Sequence, residues 1–157
     1  MLVIIAIAAM IAVDQLVKYW AVSVLKEAGT IPLLDQVFQL TYVENRGAAF
    51  SMLRGKVWFF VVFTIVVVGI IIYLLRTGRI HGKMGRWSLY MVIGGAVGNL
   101  IDRIFRGYVV DLFDFTLIHF PVFNVADILV CVGGVLFCVY YIFLADGKKN
   151  AGQRGAE

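Results

Sequence analysis

Carboxylates, amides and a few cations interrupt an otherwise apolar chain: Asp14 and Lys18, Asn45 and Arg46, Asn99 with Asp102 and Arg103, Asp111 and Asp114, Asn124 and Asp127. These residues have the side chains that could do chemistry. The chain has no HExxH pair for a catalytic zinc and no GxSxG elbow for a serine nucleophile. No histidine falls within the long apolar runs to activate a hydroxyl, and His119, alone between two of them, is read as non-catalytic. Carboxylate chemistry remains. Two aspartates that share a site cannot both ionise easily, so one holds its proton to higher pH. The ionised partner can take a proton from water while the protonated one donates to a scissile carbonyl oxygen. That is peptide hydrolysis with neither metal nor covalent intermediate, and no cofactor is expected. The pair titrates as a unit, so the proton belongs to neither member alone.

Each polar residue also has a structural reading. Asp14 and Lys18 are i, i+4 and can pair on one helix face. Asp102 has Arg103 beside it and Arg106 at i+4, which favours an ion pair. Asp114 reads as a solvated loop residue. Asn124 can cap a helix that Asp127, three residues on, favours by its charge near the N-terminus. For Asp111, set among Tyr108, Val109, Val110, Leu112 and Phe113, and for Asp127, heading an apolar run, function outweighs that alternative.

The elements that must position these residues follow from composition. Of 157 residues, 62% are hydrophobic and 15% charged, against about 45–50% and about 25% in soluble domains. A bilayer is the solvent that such a chain fits, and intrinsic disorder is excluded. Four spans of near membrane-crossing length are expected, at about 1–25, 57–75, 87–104 and 125–144. The fold class is then an all-α integral membrane protein in one domain over 1–145. Loops 26–56 and 105–124 lie on one side, loop 76–86 on the other, and 146–157 forms a polar tail. Val37–Val43 alternates as a half-buried strand does, which puts a small strand-containing cradle between helices 1 and 2. Asn45–Phe50 reads as a turn into a small-residue segment. Gly94 and Gly98 form a GxxxG for close helix packing that brings Asn99 and Arg103 near a neighbour.

The basic residues sort the loops. Arg76, Arg79, Lys83 and Arg86 crowd a short loop, and their density places it and both termini inside. Net charge +4 is then a topology and headgroup signal rather than a nucleic-acid one. Cys131 and Cys138, two turns apart on one run, are too distant for an intrahelical disulfide and read as lipid-facing or packed thiols. Met1–Val13 lacks a basic n-region and a cleavage site, and is read as the start of a retained helix. With this topology most of the intramembrane polar groups gather in the outer half of the bilayer.

Five ordered segments sharpen the reading: Asp14-Gln-Leu-Val-Lys18, Asn45-Arg-Gly-Ala-Ala-Phe-Ser51, Gly94-Gly-Ala-Val-Gly-Asn-Leu-Ile-Asp-Arg103, Gly107-Tyr-Val-Val-Asp-Leu-Phe113 and Phe123-Asn-Val-Ala-Asp127. Together they resemble the bacterial lipoprotein signal peptidases (signal peptidase II). The resemblance implies an aspartic endopeptidase of the bacterial cytoplasmic (inner) membrane that cuts prolipoproteins just before a diacylglyceryl-modified cysteine. It implies that Asp111 and Asp127 are catalytic, and that Asp14, Lys18, Asn45, Gly95, Asn99, Arg103 and Asn124 bind substrate or support the pair. It also implies four spans with both termini cytoplasmic and an extracytoplasmic cradle. Arg46, beside Asn45, is expected to join Asn45 and Arg103 on the substrate backbone. The expected partners are the lipid-modified prolipoprotein and membrane lipid, with no nucleic acid and a monomeric enzyme. The rival class is a small proton-coupled carrier, which also uses intramembrane Asp and Lys. Carriers often have inverted repeats and midplane sites, whereas this chain has no repeat and its polar groups lie near one face. A structural subunit using GxxxG would leave the clustered aspartates without a role.

Overall fold

The computed structural model describes residues 1–47 and 56–144. The small-residue segment expected after Asn45 falls mostly outside them, as does the tail 146–157. Four long helices, α1 (Leu2–Ala28), α2 (Val57–Arg76), α3 (Lys83–Phe105) and α4 (Val125–Phe143), carry a three-stranded sheet at one end. Among the described residues α1, α2 and α4 are long and apolar enough to cross a membrane. With 23 residues α3 is about 34 Å long, enough for the hydrocarbon core, but it is more polar.

That polarity follows from its place. α3 is the hub against which α1, α2 and α4 all pack. Its buried residues include Ser88, Gly94, Gly95, Gly98, Asn99 and Asp102. The outer helices turn large side chains such as Ile4, Phe59, Phe63, Val135 and Ile142 outward. A central helix has no need of an apolar exterior, and it gains from small residues where backbones meet. A Cβ added at Gly95 would run into the Ala126 carbonyl oxygen of α4, and one at Gly98 would stand 2.6 Å from Asp14 Oδ2 of α1. The expected third span began at Trp87; the helix starts at Lys83, one turn earlier. α1 likewise runs past Leu25 to Ala28, through a π-helical turn at Ala21–Leu25 that buries both its end residues completely.

The sheet joins two parts of the chain. β1 (Ile31–Leu34) and β2 (Phe38–Asn45) form a hairpin, and β3 (Val109–Asp114) pairs antiparallel with β2. The alternating segment is thus a strand, displaced slightly from Val37–Val43. The third strand corrects the expectation that the cradle lies wholly between the first two helices. Val109, Val110, Asp111 and Leu112 are all buried, so β3 shows no alternation from which to recognise it. Val110 and Leu112 form a core cluster with Ala21 and Leu25, which seats the sheet on the end of α1. A second cluster of Ile71, Leu89, Tyr90 and Ile93 ties α2 to α3.

Candidate active site

Two backbone features bring the aspartates together. In the β2–β3 register Val43 faces Asp111 and Asn45 faces Val109. Beyond Asp114 the chain turns back, and Phe123 pairs with Phe113; its carbonyl accepts from Leu112 N–H at 3.0 Å and Phe113 N–H at 2.9 Å. The next residue is Asn124, which starts α4. Its side chain accepts from Asp127 N–H at 2.9 Å, and Asp127 Oδ2 accepts from Asn124 N–H at 3.2 Å. This reciprocal cap satisfies two amides that a helix start leaves open. It also fixes Asp127 in the first turn of α4, beside β3.

Asparagines then hold both carboxylates. Asn124 Nδ2 donates to Asp111 Oδ1 at 2.6 Å, and Asn45 Nδ2 to Asp111 Oδ2 at 2.9 Å. Asn99 Nδ2 donates to Asp127 Oδ1 at 2.8 Å. The orientation of Asn99 is determined by its other end, where Oδ1 accepts from Lys18 Nζ at 2.8 Å and Asn124 Nδ2 at 3.2 Å. Asp111 is 2% exposed. Burial, and next the charge of Asp127, push its carboxyl up to about 7, against the opposing pull of the Asn45 and Asn124 hydrogen bonds.

Asp111, Asp127, Asn45, Asn99 and Arg103 line one cavity of about 480 Å³, whose remaining wall is Val109, Phe120–Phe123, Ile128, Cys131 and Val132. Arg103 reaches Asn99 O at 3.4 Å and Gly47 O at 3.5 Å, with its guanidinium 5.1 Å from the Phe60 ring centre. Asn124 is buried behind the carboxylates. Asp14 and Lys18 lie deeper, ion-paired at 2.9 Å, and Lys18 also pairs with Asp102 at 3.2 Å. Gly95 allows α4 to approach α3.

Arg46 is placed apart from this cavity wall. It is exposed, 3.1 Å from Glu44 and 5.5 Å over the Tyr108 ring, and its hydrogen bond holds the Glu44 carboxyl below its ordinary value. Asp114, read as a solvated loop residue, ends β3 and accepts from Gln39 Nε2 at 2.7 Å. Asp102 does pair with Arg106, at 3.4 Å, but that is one of several contacts. Gln15, which sequence reasoning passed over, donates to Gly98 O at 3.1 Å and lies 3.2 Å from Asp14 Oδ2. The apolar wall was also missed, although helical spacing marks part of it: residues 128, 131 and 132 follow Asp127 by one, four and five. Both cysteines are free and exposed on α4.

The arrangement offers two carboxylates, restrained by neutral amides, at the edge of a greasy cavity. It can bind an extended backbone through Asn45 and Arg103, hold an apolar group, and admit a water beside the two carboxyl groups. The chain is similar to known proteins in sequence and in fold. The model of the family described as Signal peptidase (SPase) II matches residues 6–143. The lipoprotein signal peptidase of Clostridioides difficile (strain 630) is 46% identical over 149 residues, covering 95% of this chain and all of that one. That of Brevibacillus brevis is 49% identical over 147 residues, covering 91% and 95%. A bacterial membrane enzyme solved by the in meso method at 2.3 Å resolution superposes with a TM-score of 0.82 at 28% identity, covering 94% of this chain and 90% of that one.

Proposed function

The chain belongs to the signal peptidase II family, and on that premise we propose that it removes signal peptides from diacylglyceryl-modified prolipoproteins with an aspartate pair and an activated water. Asp111 and Asp127 share one proton at neutral pH. The ionised carboxylate takes a proton from the water as its oxygen adds to the scissile carbonyl carbon. The protonated carboxyl donates to the carbonyl oxygen. Collapse of the tetrahedral gem-diol breaks the C–N bond: the departing amine of the lipid-modified cysteine takes up the proton abstracted from water, and one hydroxyl returns its proton to the carboxylate that donated it, which restores the pair. The observation that carries this reading is the shared cavity, onto which both aspartates open while asparagines restrain them from behind.

Asn45 and Arg103 hydrogen-bond the substrate backbone near the cut. Arg46, exposed and occupied by Glu44 and Tyr108, is the weakest of these contacts. The apolar wall formed by Phe120, Phe123, Ile128 and Val132 suits the lipid-bearing end of the substrate. In this reading α3 is the fourth span, both termini face the cytoplasm, and the site lies toward the outer face of the bacterial inner membrane. The basic cluster of Arg76, Arg79, Lys83 and Arg86, at the turn between α2 and α3 and on their adjoining ends, supports that orientation. The enzyme acts as a monomer.

The test uses purified protein in detergent or lipid with a diacylglyceryl-modified prolipoprotein. Wild type releases the signal peptide, whereas Asp111→Asn and Asp127→Asn, folded by thermal unfolding, do not. Full activity in either variant would remove the pair from the mechanism. An unlipidated substrate is cleaved poorly; equal cleavage would contradict lipid recognition in the cavity.

A further inference from the structure

The aspartate pair accounts for the asparagines that touch it, but not for the layout of the charges beneath. Asp14, Lys18 and Asp102 are fully buried, with Lys18 Nζ between the two carboxylates. Each carboxylate also grips a backbone amide. Asp14 Oδ1 accepts from Ala126 N–H at 2.9 Å, and Asp102 Oδ2 accepts from Val110 N–H at 3.1 Å. Ala126 immediately precedes Asp127, and Val110 immediately precedes Asp111. One ammonium thus yokes two carboxylates, each holding the chain one residue before a member of the pair.

We infer that Asp102 is a positioning residue: by holding Val110 N–H it sets where the Asp111 carboxylate stands relative to Asp127. The inference rests on the aspartate-pair reading above. β3 is an edge strand, so no further strand is available to the Val110 amide on that side, and Val110 is 0% exposed. A buried amide without a partner is costly, and an acceptor fixed on α3 supplies both the partner and a reference point. The i, i+4 pair with Arg106 uses the other oxygen, Oδ1, and would not by itself direct Oδ2 at β3. Lys18 ties this hold to the matching one made by Asp14, so displacement of either carboxylate is transmitted to the other. Its third contact, to Asn99 Oδ1, keeps the amide of Asn99 turned toward Asp127.

Two variants separate placement from charge. Asp102→Glu keeps the negative charge opposite Lys18 but moves the oxygens by one methylene. Asp102→Asn keeps the shape and removes the charge. If Asp102 positions Asp111, kcat per folded enzyme falls roughly 10- to 100-fold in Asp102→Glu while KM stays within about twofold. Asp102→Asn also loses kcat, and the alkaline limb of its pH–rate profile moves to lower pH. The charged groups around the pair are Asp14 and Lys18 on α1, Asp102, Arg103 and Arg106 on α3, and Asp127 on α4; with Asp102 neutral, Lys18 is less compensated and favours the ionised pair. A role in folding alone would lower the yield of folded protein without moving KM, kcat per folded enzyme or the pH limb. Should Asp102→Asn fail to fold, Asp102→Glu carries the kinetic test. Folded Asp102→Glu with kcat within about twofold of wild type would overturn the inference. Asp111→Asn measured alongside keeps the two ideas apart: activity there removes the aspartate pair itself, while inactivity there with a normal Asp102→Glu removes only the positioning role.

Discussion

Two carboxylate pairs sit on opposite sides of Asn99, and they are held by different means. Asp14 and Asp102 are paired to a lysine, with Arg106 outside, and are closed off from the cavity. Asp111 and Asp127 line the cavity and, among the described residues, have no salt bridge; asparagine amides hold them instead. The deep pair is neutralised and fixed. The cavity pair is held by neutral amides with no contacting cation among the described residues, and the proposed function requires that its proton stay exchangeable. Amides orient a carboxylate with far less loss of basicity than a contacting cation would cause. On the proposed function, rigidity and reactivity fall to neighbouring but separate clusters.

The largest expected effect breaks the cavity pair. Asp111→Asn or Asp127→Asn should lower kcat by roughly 10³-fold or more while leaving the unfolding midpoint near that of wild type. Lys18→Met should reverse that pattern of damage. It leaves two buried carboxylates facing each other, at a cost of about 3–5 kcal/mol, read as a lower unfolding midpoint in detergent before any kinetic loss is considered. If Lys18→Met were as stable as wild type, the division of labour between the clusters would fail.

A smaller effect comes from pH. Asp111 is raised from an ordinary value of 3.8 to about 7, mainly by burial and then by Asp127. Between those values the folded protein holds more protons than the unfolded chain. The contribution of this group to stability is therefore complete below 3.8 and declines as pH rises through about 7. The rate should fall on the same alkaline side as the shared proton is lost, and Asp111→Asn should flatten the stability curve in that interval. The smallest effect is at the rim. Arg46→Ala should change stability by about 1 kcal/mol or less and KM by less than about fivefold.

Local features of the site were legible in the sequence. The Asp14–Lys18 spacing, the Asn124 cap with Asp127 at its third position, and the alternating strand before Asn45 all depend on neighbours a few residues apart. The missing features depend on distance in sequence. β3 is buried by α1 and the chain around Phe123, so its pattern is continuous rather than alternating. Asp102 has an obvious local partner in Arg106, which concealed its contacts with Lys18 and Val110. α3 reads as a weaker span because a hub helix is surrounded by protein rather than lipid.

Gly98 and Gly134 contrast in a way that matters to anyone who would make this enzyme more heat-resistant. Replacing a helical glycine with alanine commonly gains about 0.5–1 kcal/mol. Nothing lies within 4 Å of a Cβ built at Gly134, whereas at Gly98 the same atom would stand 2.6 Å from Asp14 Oδ2. A choice made on helix propensity alone would rank the two positions as equals. At position 98 the new methyl would push against the buried carboxylate that steadies the start of α4, so the gain in helix propensity would be lost to the clash, and of the two only position 134 offers heat resistance.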